Sequence, residues 1–399
     1  MSDKFMIFFG EGFRVFFLAA GIFAVLSGTF WLIWLGVQYF AGISIELPFG
    51  QAPHLWHAHE MIFGYAAAAL GGFLLTAVPN WTGAQSARHV FIITASGIWL
   101  AGRVAIWFSG VLPAWLVAVI DLAFLPILAA KVASQLVKRP KPQNVMFLVF
   151  LTMLWIASLL VHLEWMGVSA DTADRGIRAG LIGLASMIAV LGGRVTPAFT
   201  RNAMKRAGLP EEAWPGSRPL LERATIAFAL LLPATVLVGL PDWLVGIVAI
   251  PAGAVQIARL TGWAGRRVAG QPILLSLHVG MAMLGVGLIL WGLALLGIGS
   301  EVAAIHVLGI GAVGGMTIAI MSRATLGHAG RPLIAPRPVA IGYLLVALAA
   351  LLRWIGSETA GEWYYPLILT SGAAWVAAFT LYTAAIWPIV IAPRMGAGG

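Results

Sequence analysis

Long apolar segments, separated by short polar ones, run through almost the whole chain. A helix needs roughly 20 apolar residues to cross the hydrocarbon of a bilayer. Twelve segments meet this requirement; we number them spans 1 to 12 and predict them near residues 14–40, 56–79, 89–109, 113–137, 143–166, 176–196, 221–240, 242–263, 273–297, 303–325, 338–356 and 364–391. The pattern predicts an all-α, polytopic membrane protein with a single transmembrane domain over residues 1–399.

The charged residues between the spans are sorted by sign. Loops after even-numbered spans are basic and carry Arg88, Lys131, Lys138, Arg139, Lys141, Arg194, Arg201, Lys205, Arg206, Arg266, Arg267, Arg323, Arg331 and Arg337. Loops after odd-numbered spans are mainly acidic and carry Glu46, Glu164, Asp171, Asp174, Asp242, Glu301, Glu358 and Glu362. Because Lys and Arg are retained on the cytoplasmic side, both termini and the basic loop predicted over 197–220 are expected there.

Weak internal similarity predicts three pseudo-symmetric four-helix units, over residues 14–138, 143–267 and 273–391. Spans 2, 6 and 10 have related endings, which read TAVPNWTG from Thr76, RVTPAFTRN from Arg194 and RATLGHAGR from Arg323. Repeats of this kind are common in membrane proteins. A transporter built from two six-helix halves has the same number of spans, and that alternative stays open.

Composition excludes several classes of protein and of metal site. Apolar residues make up 60% of the chain and charged residues 10%, which is too little charge for a soluble protein of this size. The chain has no cysteine, so disulfides, iron–sulfur clusters, thiolate metal sites and covalently attached haem are excluded. The net charge of +9 is explained by membrane orientation, and no nucleic-acid partner is predicted.

The chemistry is concentrated in the segment PHLWHAHE, residues 53–60, at the start of span 2. The predicted topology places His59 and His306 at comparable depth on spans 2 and 10, in the outer half of the membrane. Two histidines that approach from different helices at one depth can ligate a haem iron from both faces. We therefore predict haem b between His59 and His306.

Helical spacing divides the three histidines of span 2. His54 and His57 share a helix face, whereas His59 points roughly 200° away from His57. Imidazole is a good copper ligand, so His54 and His57 are candidate copper ligands. His162 is the nearest third candidate by depth, but an ordinary interfacial histidine is the interpretation we favour. Glu60 either orients a ligand histidine or handles protons, and we name Glu60 and His57 as candidate catalytic residues.

The predicted cytoplasmic half holds a second set of candidates. His278 on span 9 and His328 after span 10 can meet, as a second metal site, a route for protons or satisfied polar residues. Arg194 and Arg323 are candidate partners for haem propionates or a substrate anion, although anchoring at the membrane surface explains them equally well. Three charged residues lie within spans and require partners or water: Arg103, Arg353 and, as a candidate counter-charge, Asp121.

Four motifs resemble the NnrS family across all the spans. They are HLWHAHEMIFGYAAAALGGFLLTAVPNWTG (54–83), GGRVTPAFTRN (192–202), LHVGMAMLGVGL (277–288) and HVLGIGAVGGMTIAIMSRATLGHAGRPL (306–333). The resemblance implies a bacterial inner-membrane protein that contains haem and copper and is linked to nitric oxide metabolism, denitrification and protection from nitrosative stress. The residues matched within the motifs are His54, His57, His59, His278, His306, His328, Glu60, Arg194 and Arg323.

A more distant similarity links the chain to subunit I of the haem–copper oxidases and nitric oxide reductases. That fold also has haem-ligand histidines on its second and tenth spans. Spans 6 and 7 of the present chain contain no histidine, so the dinuclear centre of those enzymes is not expected in its usual place.

The histidine pattern predicts a haem protein, and the resemblance implies that it acts on nitric oxide or a derived nitrogen species, as an oxidoreductase with an unidentified electron donor. Nitric oxide is neutral and can enter from the bilayer. Two alternatives stay open: a haem-based nitric oxide sensor or assembly factor without turnover, and a transporter of a metal, haem or an anion.

Overall fold

The computed structural model describes residues 3–43, 46–359 and 361–396. Within these ranges the regular structure is helical and strands are absent. Twelve helices are long and apolar enough to cross a membrane, which confirms the predicted spans. Spans 1 to 12 run over Gly12–Ala41, Pro53–Thr82, Val90–Trp107, Ala114–Leu136, Pro142–Trp165, Ala173–Arg206, Pro219–Leu237, Asp242–Leu260, Pro272–Leu295, Glu301–His328, Arg337–Glu358 and Tyr364–Val390.

Span 6 is the element that differs most from its prediction. It continues through Pro197 as far as Arg206. The prediction of a loop from residue 197 is therefore wrong for residues 197–206, which are helical. Apolar residues become sparse there, but good helix formers continue. Ala203 and Met204 are buried, so packing supports a polar extension that hydropathy alone does not reveal.

The chain divides into two compact units. The first contains spans 1 to 5, the start of span 6, and residues 324–332 and 382–399. In this unit Arg14 on span 1 donates hydrogen bonds to the carbonyls of Val390 and Ala392, at 2.9 and 2.8 Å. Close packing requires glycine at Gly72, where a Cβ atom would lie 2.6 Å from the Phe17 ring.

The second unit contains residues 181–323 and 333–381, which include most of spans 6, 10 and 12 and all of spans 7, 8, 9 and 11. Its centre holds another buried arginine. Arg259 on span 8 is paired with Glu222 on span 7 at 2.5 Å and donates to the carbonyl of Ala189 at 3.0 Å. The guanidinium is thus neutralised and satisfied inside the unit, as a buried charge requires.

Three spans contain an irregular turn. Span 4 breaks at Ala123, because Pro126 has no N–H to donate to the carbonyl of Leu122. The indole of Trp155 donates to that carbonyl instead, at 3.2 Å. Spans 2 and 10 each contain a π-helical turn, Glu60–Ala66 and Val307–Gly314. These turns directly follow His59 and His306, and π-helical turns are frequent at functional sites.

Candidate metal centre

Five polar side chains from four consecutive spans meet in the interior of the first unit. Span 2 contributes His59 and Glu60, span 3 contributes Arg103, span 4 contributes Asp121 and span 5 contributes His162. All five are buried, with His59 fully inaccessible. Buried ionisable residues in membrane helices are costly unless paired, and they mark functional sites.

Asp121 lies between the two histidines. One of its carboxylate oxygens, Oδ2, is 2.8 Å from His162 Nε2 and 3.3 Å from His59 Nε2. One ligand atom from each of the three residues falls within 4.8 Å of the others, and this is the group in the described part of the chain that could hold a metal ion. Ligands bound at about 2.1 Å lie about 3 to 3.5 Å apart around an ion, so small shifts of these side chains would bring all three to a shared ion.

The hydrogen bonds of His59 orient it as a ligand. Its Nδ1 is 3.0 Å from Glu60 Oε1. An ionised carboxylate only accepts hydrogen bonds, so Nδ1 carries a proton. Nε2 offers a lone pair to an ion when the ring is neutral. Although Nε2 is 3.3 Å from Asp121, it is buried and makes no hydrogen bond among the described residues. A histidine whose second nitrogen donates to a carboxylate is the usual arrangement of a metal ligand.

The charge of the cluster depends on the protons of its histidines. Arg103 is hydrogen-bonded to both Glu60 and Asp121, so one guanidinium faces two carboxylates. A second positive charge is needed to balance them in a low-dielectric interior. A proton on His59, which lies within 3.3 Å of both carboxylates, supplies it, and so does a cation bound beside Asp121.

Aromatic rings and glycine enclose the centre. The Phe63 and Trp165 rings each lie 5.0 Å from the His59 ring. On span 3, a Cβ atom at Gly102 would lie 2.9 Å from the nearer oxygen of Asp121, so glycine is what lets spans 3 and 4 approach. On span 2, a Cβ at Gly64 would lie 2.8 Å from Arg103 Nη1. Glycine at these two positions therefore leaves the room that the Asp121 carboxylate and the Arg103 guanidinium occupy.

The two other histidines of span 2 lie in different surroundings. His54 is exposed at the start of the helix. His57 is half-buried, and its ring stacks on Trp31 with centres 4.4 Å apart and planes 10° apart. The copper site predicted at His54 and His57 stays a prediction, and so does the catalytic role of His57.

The remaining candidates are divided between the two units. His306 belongs to the second unit and His59 to the first, so their pairing across a haem stays a prediction. The Nδ1 atom of His306 is 2.7 Å from the carbonyl of Val302. That carbonyl accepts the Nδ1 proton, which makes Nε2 the basic nitrogen and suits a haem ligand.

The candidates of the predicted cytoplasmic half are also separated. His278 lies in the second unit, with Nε2 3.0 Å from Thr200 Oγ1. His328 lies in the first unit, and its ring centre is 5.5 Å from that of Phe13. Whether the two histidines act together stays a prediction. Arg194 is half-buried on span 6 and Arg323 is buried on span 10, and their roles are likewise predictions.

Sequence reasoning undervalued three residues of the centre. Asp121 was predicted only as a candidate counter-charge, Arg103 as a residue in need of partners, and His162 was favoured as an interfacial histidine. The signal that links them is depth, because the predicted topology places them, with His59 and Glu60, at the outer ends of spans 2 to 5. Pairing charges at equal depth on neighbouring spans would have identified the cluster.

One comparison with known proteins assigns the chain to a family. The family model described as NnrS protein matches residues 7–394, nearly the whole length. No curated protein matches the chain significantly. The chain therefore belongs to the NnrS family, which is linked to the response to nitric oxide.

Proposed function

We propose that this NnrS protein is a multi-pass protein of the bacterial inner membrane that binds haem b and copper and acts on nitric oxide or a derived nitrogen species. The observation that carries the proposal is the buried group of His59, Asp121 and His162, which brings three ligand atoms within 4.8 Å of one another and leaves His59 Nε2 without a hydrogen bond among the described residues. The role in nitric oxide detoxification, nitrosative-stress protection and denitrification is taken from the family.

Copper suits the donor set. Two imidazoles and one carboxylate bind copper, zinc and iron, and copper(II) has the highest affinity of the three for such ligands. When bound, a copper ion supplies a redox-active centre for a diatomic ligand. His162 would bind such an ion through Nε2 as a neutral ring with its proton on Nδ1, since a ligand nitrogen must be unprotonated to bind a metal.

The protein's own residues hold this centre in place. Glu60 accepts from His59 Nδ1 and from Arg103, which supports an orienting role more than a proton-carrying one. Arg103 in turn fixes Asp121. The rings of Phe63 and Trp165 cover His59 at 5.0 Å, and nitric oxide is small and apolar enough to enter from the bilayer.

Haem b fits span 10 in one respect. The Nδ1 proton of His306 is held by the carbonyl of Val302, which leaves Nε2 basic and suits an axial ligand. We propose His306 as a haem ligand in the second unit and assign His59 to the copper centre. The earlier alternatives, a sensor or a transporter, are distinguished by turnover with a chemical reductant and by the colour of the purified protein.

Metal analysis and optical spectra of purified protein test the proposal. Wild type is expected to contain copper together with a b-type haem spectrum that changes with nitric oxide. Asp121→Asn is expected to lose copper while it retains haem. His54→Ala is the matched control, since it removes an exposed histidine of the same span, and it is expected to keep both. A wild-type protein without copper and haem, or an Asp121→Asn protein with full copper, would show that the proposal is wrong.

A further inference from the structure

Arg323 is a buried cation in the second unit. Its side chain is 8% exposed, and its guanidinium carbon lies 3.8 Å from the centre of the Phe199 ring. Its Nε atom makes no hydrogen bond among the described residues. A cation–π contact attracts the charge, but it does not satisfy the buried Nε donor.

Two other buried arginines show what Arg323 lacks. Arg103 is paired with two carboxylates, and Arg259 is paired with Glu222 at 2.5 Å. The ionisable side chains that act on Arg323 are Arg206, a second cation, and the phenol of Tyr343. The phenol of Tyr343 is neutral near pH 7 and is hydrogen-bonded to Ser322 at 2.6 Å. Within the described ranges, Arg323 has no carboxylate partner, so the chain itself does not balance this charge.

A second unsatisfied donor lies on the facing helix. Thr196 on span 6 is fully buried, and its hydroxyl makes no hydrogen bond among the described residues. Threonines in helices commonly bond the carbonyl one turn back, as Thr225 does with Leu221 at 2.9 Å. Thr196 precedes Phe199 by three positions, so both lie on one face of span 6. Arg323 covers that ring, which places its guanidinium on the same face.

The chemistry of these groups defines the ligand. A guanidinium only donates hydrogen bonds, and a hydroxyl is able to donate one. Their ligand must therefore accept hydrogen bonds and carry negative charge, which excludes a metal cation and neutral nitric oxide. A guanidinium fork matches the two oxygens of a planar oxyanion.

We propose that Arg323 and Thr196 form a binding site for a singly charged planar oxyanion, either a free ion such as nitrite or the carboxylate of an organic molecule. This site lies in the second unit and goes beyond the proposed metal centre of the first. It gives the protein a place for an anionic ligand in addition to a diatomic one.

Anion titrations of the purified full-length protein in lipid nanodiscs test the site. Sodium nitrite and sodium formate are titrated at constant ionic strength, and heat of binding is measured. Wild type is expected to bind with saturation. Arg323→Gln is expected to weaken binding by at least about 100-fold and Thr196→Val by about tenfold, the effect of one lost hydrogen bond. Arg323→Lys keeps the charge without the fork and is expected to be intermediate.

Matched controls and mass spectrometry complete the experiment. Arg267→Gln removes an exposed cation and Thr225→Val a satisfied hydroxyl, and both are expected to bind anions as wild type does.

If denatured wild type releases a stoichiometric organic acid that Arg323→Gln lacks, the ligand is that carboxylate and the site stands. If Arg323→Gln fails to fold, Arg323→Lys and Thr196→Val decide. Absence of both titratable binding and a bound acid, or wild-type affinity in the variants, overturns the proposal and leaves Arg323 a membrane anchor. Copper content, measured in parallel, reports on the metal centre separately.

Discussion

The two π-helical turns share a backbone form and differ in chemistry. One directly follows His59 and the other directly follows His306, and the same sequence interval relates the two histidines, the two turns and the left-handed glycines Gly83 and Gly330. The first turn begins with Glu60 beside Arg103. The second begins with buried Val307.

This difference teaches that the irregular turn alone does not make a metal centre. A π-helical turn re-aims side chains at a cost in hydrogen bonding, and in span 2 the indole of Trp99 satisfies the carbonyl of Gly64 at 2.9 Å. The candidate ion site arises because spans 3, 4 and 5 add Arg103, Asp121 and His162 beside His59 and Glu60. In span 10 the turn follows His306, whose Nδ1 is 2.7 Å from the carbonyl of Val302, and the proposed haem ligand role of His306 does not require such a cluster.

Replacing Arg103, which pairs with both Glu60 and Asp121, is expected to have the largest effect on stability. Arg103→Met leaves Glu60 and Asp121 buried without their guanidinium, and breaking such a pair costs about 3–5 kcal/mol. Thermal unfolding in detergent measures the loss. Exposed Arg267→Gln is the control, with an expected change within about 0.5 kcal/mol. Equal stability of the two variants would contradict the buried network.

The second π-helical turn can be tested by adding a carboxylate where the first turn has Glu60. Val307→Glu places an acid at the position that corresponds to Glu60, where the described structure provides no arginine pair like that of Glu60. We expect destabilisation of about 3 kcal/mol, measured by the same unfolding assay, with Val307→Gln as the uncharged control. An unchanged melting temperature would indicate a cation close to this turn.

The orienting role of Glu60 predicts a smaller effect on the ion. Glu60→Gln keeps the size of the side chain and weakens the charge-assisted hydrogen bond to His59, and losing such a partner lowers metal affinity about 10- to 100-fold. Competition with a copper chelator measures the affinity. His306→Ala is the comparison from the other turn and is expected to leave copper affinity unchanged. If Glu60→Gln bound copper with wild-type affinity, the orienting role of Glu60 would be contradicted, and proton handling would be the remaining role.

Glycines within the two turns give the smallest expected difference. In Gly64→Ala the added Cβ would lie 2.6 Å from the Phe23 ring and 2.8 Å from Arg103 Nη1, and overpacking of this kind costs about 1–3 kcal/mol. At Gly309 nothing lies within 4 Å of the added atom, so Gly309→Ala is expected to change stability by no more than about 1 kcal/mol. The two melting temperatures decide whether only the first turn is tightly packed.

Hydropathy predicted the architecture well, because each span depends on its own run of apolar residues. The centre could be predicted only in part. Span 2 shows His59 and Glu60 directly, since they are adjacent in sequence. Asp121 and His162 each looked like an isolated polar residue, because their contacts depend on which helices become neighbours in the fold. Equal depth was the available clue, but helix rotation, which aims both at His59, is set by packing that no single span encodes.

The measurement that tests the metal centre most directly is an anomalous diffraction map, collected at the copper absorption edge from crystals of the purified protein. The account predicts a peak about 2 Å from His59 Nε2, Asp121 and His162, with no peak there in Asp121→Asn crystals. A copper peak at His54 and His57 instead, or copper-replete protein without density at the buried group, would contradict it.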